Sequence, residues 1–198
     1  MKPKEILRTI ESHLELKPNK LPEIIENQEY LKKKDIKAET QIAKIDKEIK
    51  SIKITVENKQ DIIALAEELT HVIDITSSTQ TRITKYEDYF YDNVLIEALG
   101  YYGSKIITPN RLPKPVRYRL KEIIKQKNWE KLKWTYTYQQ DEKEDNEMWH
   151  EIGYDLGERL YQYVQKTCDK KPILDIVMKN RQKEKPFEVY KRILEKVT

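Results

Sequence analysis

Apolar residues recur at alternating spacings of three and four through residues 24–56, and this repeat is the strongest constraint on the fold. Eight of its ten positions are apolar, and the run is unbroken from Ala38 to Val56. Such spacing predicts one narrow apolar stripe on a long helix, packed either within its own bundle or as an arm against another subunit. The ten positions are Ile24, Gln28, Leu31, Asp35, Ala38, Ile42, Ile45, Ile49, Ile52 and Val56. The predicted assembly contacts are Ile42, Ile45, Ile49 and Ile52.

Prolines precede most of the segments with helical periodicity, as expected for a residue tolerated in the first helical turn. These are Pro3, Pro22, Pro115, Pro172 and Pro186. The pattern predicts helices at about 3–16, 22–55, 59–75, 82–102, 115–134, 146–168, 172–181 and 186–197.

The predicted fold class is all-α. We expect an extended, coiled-coil-like N-terminal helical arm at 1–78 and a C-terminal helical bundle of about four helices at 82–198. A polar hinge at 76–84 separates the two parts, and all three tryptophans and both phenylalanines follow it.

The composition excludes several classes of protein. Of the 198 residues, 38% are hydrophobic and 36% are charged, which suits helices with much solvated surface. Cys168 is the only cysteine, so an intrachain disulfide and a cysteine-based zinc site are both excluded. No apolar run is long enough to span a bilayer. We expect a cytoplasmic protein, or one within a nucleoprotein assembly or virion made there, from an AT-rich or thermophilic source.

Charge is separated along the chain. The segment from Arg111 to Lys133 contains nine basic residues and two acidic ones. The segment from Asp141 to Glu158 contains eight acidic residues and one lysine. Basic residues interleaved with aromatic ones favour a nucleic-acid surface with little sequence specificity. The predicted contacts are Arg111, Lys114, Arg117, Arg119, Lys121, Lys125, Lys127, Lys131 and Lys133, with Lys32, Lys33 and Lys34 as additional ones. The alternatives are neutralisation by the acidic segment and docking of an acidic protein partner.

Two Glu-x-x-His pairs offer a possible metal site. They are Glu68 with His71 and Glu147 with His150. Residues three apart share one face of a helix, so each carboxylate and imidazole could bind the same ion. The pattern resembles that of ferritin-like di-metal carboxylate proteins, which implies two further carboxylates, here Glu97 and Glu39. The simpler interpretation is two surface or half-buried histidines, and we predict no cofactor.

Gly153 and Gly157 lie inside a predicted helix, where each glycine costs about 1 kcal/mol relative to alanine. We expect them to allow close approach of another helix, in the core or between subunits.

No Walker loop, glycine-rich dinucleotide motif or nucleophile turn is present. The sequence therefore predicts a non-enzymatic architectural or packaging protein that self-assembles and binds nucleic acid, with DNA favoured over RNA. A ferritin-like di-metal protein and a helical adaptor for an acidic partner are the alternatives.

Overall fold

A computed structural model describes residues 1–34, 37–45, 48–77, 86–110 and 142–198. Within these ranges the chain forms helices α1 (Pro3–Leu14), α2 (Gln28–Lys34), α3 (Ile62–Ser77), α4 (Tyr86–Ile107), α5 (Glu142–Thr167), α6 (Lys171–Gln182) and α7 (Pro186–Val197). It also forms strands β1 (Glu23–Glu26), β2 (Ala38–Ile45) and β3 (Glu48–Val56).

The three strands form one mixed sheet, so the prediction of an all-α fold is wrong. The strand order is β1-β3-β2, with β2 antiparallel and β1 parallel to β3. The predicted helix at 22–55 is replaced by β1, the short α2 and the β2–β3 hairpin. The predicted assembly isoleucines therefore lie in strands, Ile42 and Ile45 in β2 and Ile49 and Ile52 in β3.

The sheet has a clear physical basis in the sequence. In β3, Ile52, Ile54 and Val56 alternate with Lys53 and Thr55, and the three apolar side chains are fully buried. Alternation of this kind places one face of a strand against a core, and β-branched residues favour strands. Ile54 does not belong to the heptad stripe, so period two describes this stretch better than a coiled-coil period.

Helices α3, α4 and α5 pack side by side and form the centre of the molecule. The sheet covers α3 through β2 and β3, while α1 packs on α3 and α4, and α7 packs on α4. One hydrophobic cluster extends from Ile6 in α1 to Ile193 in α7. Residues on both sides of the hinge predicted at 76–84 thus share a core, and the division into two domains stays a prediction.

No helix in the described part of the chain has the length and apolar character needed to cross a membrane.

Candidate metal site

Helix α3 supplies three of the functional side chains. The Asp61 carboxylate caps the start of this helix, since its Oδ1 accepts hydrogen bonds from the amides of Ile63 and Ala64 at 3.1 Å each. One turn further along, Glu67 and Glu68 precede His71. Glu67 and His71 are four residues apart, so they lie on the same face of the helix.

Helix α4 brings a third donor to this face. One ligand atom from each of Glu67, His71 and Glu97 lies within 4.8 Å of the others. The close approach depends on Gly100, where a Cβ atom would lie 2.6 Å from His71 Cε1. A side chain at position 100 would therefore displace the imidazole.

Helix α5 closes the opposite side of the cluster. The phenol of Tyr154 donates a hydrogen bond to Glu67 Oε1 at 2.8 Å, and His150 Nε2 lies 3.4 Å from Glu97 Oε1. Gly153 lies between these two residues, and a Cβ there would be only 2.4 Å from Glu97 Cβ. The glycine thus lets α5 approach α4 closely enough for both contacts.

These groups line a cavity of about 450 Å³. Strand β2 contributes Ala38 to its wall, preceded by Lys37. From the same strand, the Thr40 hydroxyl donates a 2.5 Å hydrogen bond to Glu68 Oε2. The carboxylates of the site therefore lie on α3 and α4, and the sheet and α5 each donate a hydrogen bond to one of them.

Burial sets the protonation of the cluster. It raises the pKa of the Glu97 carboxyl well above its usual value, and the neighbouring Glu67 and Glu68 raise it further. Burial likewise raises the pKa of Glu67, and it raises that of Glu68 to about 7. The pKa of His71 is lowered to about 4, first by burial and then by His150, so this imidazole is neutral at pH 7.

The arrangement is suited to a cation. A neutral imidazole is the form that binds metal, and the buried His71 Nδ1 has no hydrogen-bond partner among the described residues. A divalent ion would offset the cost of burying the carboxylates of Glu67 and Glu97. Two carboxylates and one imidazole are a donor set for Mn²⁺, Fe²⁺ or Zn²⁺.

The predicted metal residues are brought together only in part. Glu68, His71 and His150 line the same cavity. The side chain of Glu147 lies outside the described residues. Glu39 is near enough to raise the pKa of Glu68 but does not line this cavity, and its own carboxylate accepts hydrogen bonds from Lys34 and Tyr30.

Two residues of the cluster were not predicted from the sequence, Glu67 and Tyr154. Each stands four residues from a histidine, Glu67 before His71 and Tyr154 after His150. A spacing of four also places two residues on one face of a helix, so it is the sequence signal that points to both.

The predicted nucleic-acid segment Arg111–Lys133 lies outside the described residues. Of the additional contacts, Lys32 and Lys33 are exposed on α2. The ammonium group of Lys34 forms a salt bridge with Glu39 at 2.6 Å, so its charge is already paired with a carboxylate.

The two predicted packing glycines face α4. A Cβ on Gly157 would lie 2.6 Å from the backbone oxygen of Ala98, and one on Gly153 would lie 2.9 Å from that of Val94. At both glycines, α5 therefore makes the predicted close contact with another helix, and this helix is α4 of the same chain.

Comparison with known proteins gives no relative: no family model, no curated protein and no solved structure matches the chain.

Proposed function

We propose that the protein is a metal-dependent hydrolase that binds one divalent ion through Glu67, His71 and Glu97. The observation that supports this proposal is the convergence of these three donors in one cavity, next to a carboxyl group whose pKa is about 7. Three protein ligands leave coordination positions for water and substrate, as catalytic metal sites require. When bound, such an ion lowers the pKa of water and polarises the bond to be cleaved.

Glu68 is the general base of this proposal. It follows the ligand Glu67 directly and precedes the ligand His71 by three residues, a spacing that metal-dependent hydrolases use to place a base beside the metal-bound water. A pKa of about 7 is suited to accepting and returning a proton at neutral pH. The Thr40 hydroxyl fixes one oxygen of this carboxylate.

Tyr154 and His150 support the site from α5. Burial raises the pKa of the Tyr154 phenol, which keeps it protonated and able to donate to Glu67. Hydrogen bonds of this kind orient metal ligands and affect metal affinity. His150, which is less buried, is placed beside Glu97 at the cavity and can donate to developing negative charge.

The hydrolase proposal is tested with Glu68→Gln. This substitution keeps the shape of the side chain but removes the base, so we expect metal affinity to change little. Hydrolysis of a panel of peptides, carboxylic esters and phosphodiesters should fall by roughly 10²-fold or more. A Glu68→Gln protein as active as the wild type would contradict the role of Glu68, and a metal-loaded wild type inactive on the whole panel would contradict the hydrolase proposal.

The ferritin-like alternative requires two ions per chain. Glu68, His71, Glu97 and His150 around one cavity are the observation in its favour. Metal analysis distinguishes the two proposals, since the hydrolase binds one ion per chain and the di-metal protein two.

Binding of nucleic acid through Arg111–Lys133 stays a separate proposal, supported by charge alone. Contact with six phosphates would give a slope near −5 in a plot of log K against log salt. Absence of binding to random-sequence duplex at low salt would contradict it.

A further inference from the structure

The outer edge of β2 carries backbone groups that form no backbone hydrogen bond with another described residue. The sheet order leaves β2 at one edge. The amide of Glu57 donates to the carbonyl of Lys37 at 3.1 Å, which makes these two residues a hydrogen-bonded pair of the antiparallel ladder. Because such pairs alternate, residues 37, 39 and 41 face β3, and the N–H and C=O groups of Ala38 and Thr40 face outwards.

This free edge borders the candidate metal site. Ala38 lines the cavity, and the side chain of Thr40 contacts the proposed base Glu68. Backbone donors and acceptors that point away from β3 at these two residues therefore lie along the approach to the cluster of Glu67, His71 and Glu97.

We propose that the substrate is an extended peptide that pairs with β2 at Ala38 and Thr40, so that one of its amide bonds lies at the metal. This inference rests on the proposed hydrolase function and adds the substrate class. An added strand satisfies the free backbone groups of a sheet edge without requiring a particular sequence.

The charge of the cavity favours an amide over a phosphate ester. Among the described residues that line it, Lys37 is the only lysine or arginine, whereas Asp61, Glu67, Glu68 and Glu97 are acidic. One ion held by two ionised carboxylates is already neutralised, so a phosphodiester would meet uncompensated negative charge. A peptide bond is neutral and meets no such repulsion.

The reaction is hydrolysis and needs no further reactant. The oxygen of water bonds to the carbonyl carbon while Glu68 takes a proton from that water. The C–N bond then breaks, and Glu68 returns the proton to the leaving nitrogen. The products are a carboxylic acid and an amine, which at neutral pH become a carboxylate and an ammonium ion by transfer of the acid's proton.

The test uses Ala38→Pro in the full-length, metal-loaded protein. Proline is tolerated in an edge strand where its nitrogen faces away from the sheet, so the fold should persist. The substitution removes the outward donor of residue 38. With quenched-fluorescent decapeptides of mixed sequence we expect kcat/KM to fall at least tenfold, while the metal dissociation constant stays within twofold of wild type.

Glu26→Pro is the matched control at the opposite edge. Asn27 donates to Val56 in β3, so the N–H of residue 26 faces away from the sheet in the same manner, and Glu26 is not among the described residues that line the cavity. This variant should cleave peptides as the wild type does. Equal activity of Ala38→Pro and wild type would overturn the pairing with β2.

N-methylated peptides provide a test that needs no variant. Pairing with β2 uses the N–H groups of every second substrate residue, so methylation should inhibit cleavage with a period of two along the peptide. Uniform tolerance of methylation would overturn the inference. A protein that binds metal and cleaves bis(p-nitrophenyl) phosphate but no peptide would overturn the peptide inference and leave the hydrolase proposal intact. A protein that binds no metal would overturn both proposals.

Discussion

The Tyr154 phenol on α5 donates a 2.8 Å hydrogen bond to Glu67 Oε1 on α3, across 87 residues of sequence. It holds a proposed metal ligand in place from a different helix. We expect Tyr154→Phe to weaken metal binding about 10-fold to 100-fold, as loss of an outer hydrogen bond to a ligand does. Isothermal titration with Mn²⁺ or Zn²⁺ measures the change.

Tyr163→Phe is the control for that substitution. Its phenol lies on the same helix and donates to Asp169 at 2.9 Å, and neither residue lines the cavity. Tyr163→Phe removes a hydrogen bond of the same kind, and the affinity for the metal should be unchanged. Equal affinity of the Tyr154→Phe protein and wild type would show that the phenol does not support a metal ligand.

The buried Glu68 carboxyl should make the metal-free protein sensitive to pH. Its folded pKa is about 7 against 4.5 ordinarily, so between these values the folded state binds more protons than the unfolded state. The contribution of Glu68 to the free energy of unfolding therefore falls as pH rises from 4.5 to 7, by on the order of 3 kcal/mol.

His71 acts in the opposite direction, since its lowered pKa makes stability rise between about pH 4 and 6.5. The measurement is thus the difference between Glu68→Gln and wild type in urea unfolding, which reports Glu68 together with its coupling to Glu67 and Glu97. We expect Glu68→Gln to gain stability relative to wild type as pH rises to 7. A difference that does not change with pH would contradict a buried, protonated Glu68.

The sequence predicted the C-terminal helices better than the region of the sheet. Pro3, Pro172 and Pro186 each lie in the first turn of a helix, as expected for a residue without an N–H donor. Pro22 precedes a strand instead. A proline fits the start of a helix or of a strand, so only the residues that follow it could distinguish the two.

The heptad pattern was misleading because isoleucine at spacings of three and four also satisfies parts of a strand pattern. The paired strands bury Ile52, Ile54 and Val56 at spacing two, and Ile54 was the residue that distinguished the alternatives. Strand pairing depends on contacts between distant residues, which local periodicity does not report.

The site was partly predictable. The i, i+3 spacing identified Glu68 and His71, and Glu97 was proposed as a companion carboxylate. That Glu97 meets His71 follows from the packing of α4, and it depends on the absence of a side chain at Gly100. Packing of this kind cannot be derived from the spacing within one helix.

Gly157 should be intolerant of even a methyl group. A Cβ there would lie 2.6 Å from the carbonyl oxygen of Ala98. Gly157→Ala gains helix propensity but forces α5 away from α4, and we expect a net loss of roughly 1–3 kcal/mol in unfolding free energy. Gln165→Ala, at an exposed position of the same helix, should change stability by less than about 0.5 kcal/mol. Equal melting temperatures for both variants would contradict the close contact.

Lys179 should be essential to the fold. Its ammonium group is fully buried and lies 3.4 Å from Asp92 and 3.6 Å from Asp74. Lys179→Met leaves the buried carboxylate of Asp74 and the partly buried carboxylate of Asp92 without their cation and should cost about 3–5 kcal/mol in urea unfolding. Adding Asp74→Asn and Asp92→Asn should restore much of the loss. A single Lys179→Met protein as stable as wild type would contradict the importance of this ion cluster.

The central claim is that Glu67, His71 and Glu97 bind one metal ion. Its most direct test is the number of Mn²⁺ or Zn²⁺ ions bound per chain, measured by native mass spectrometry after dialysis against the metal. The account predicts one ion for the wild type and none for the Glu67→Gln, His71→Ala, Glu97→Gln triple variant, with both proteins folded by circular dichroism. A folded wild type that binds no ion, or a triple variant that still binds one, would contradict it.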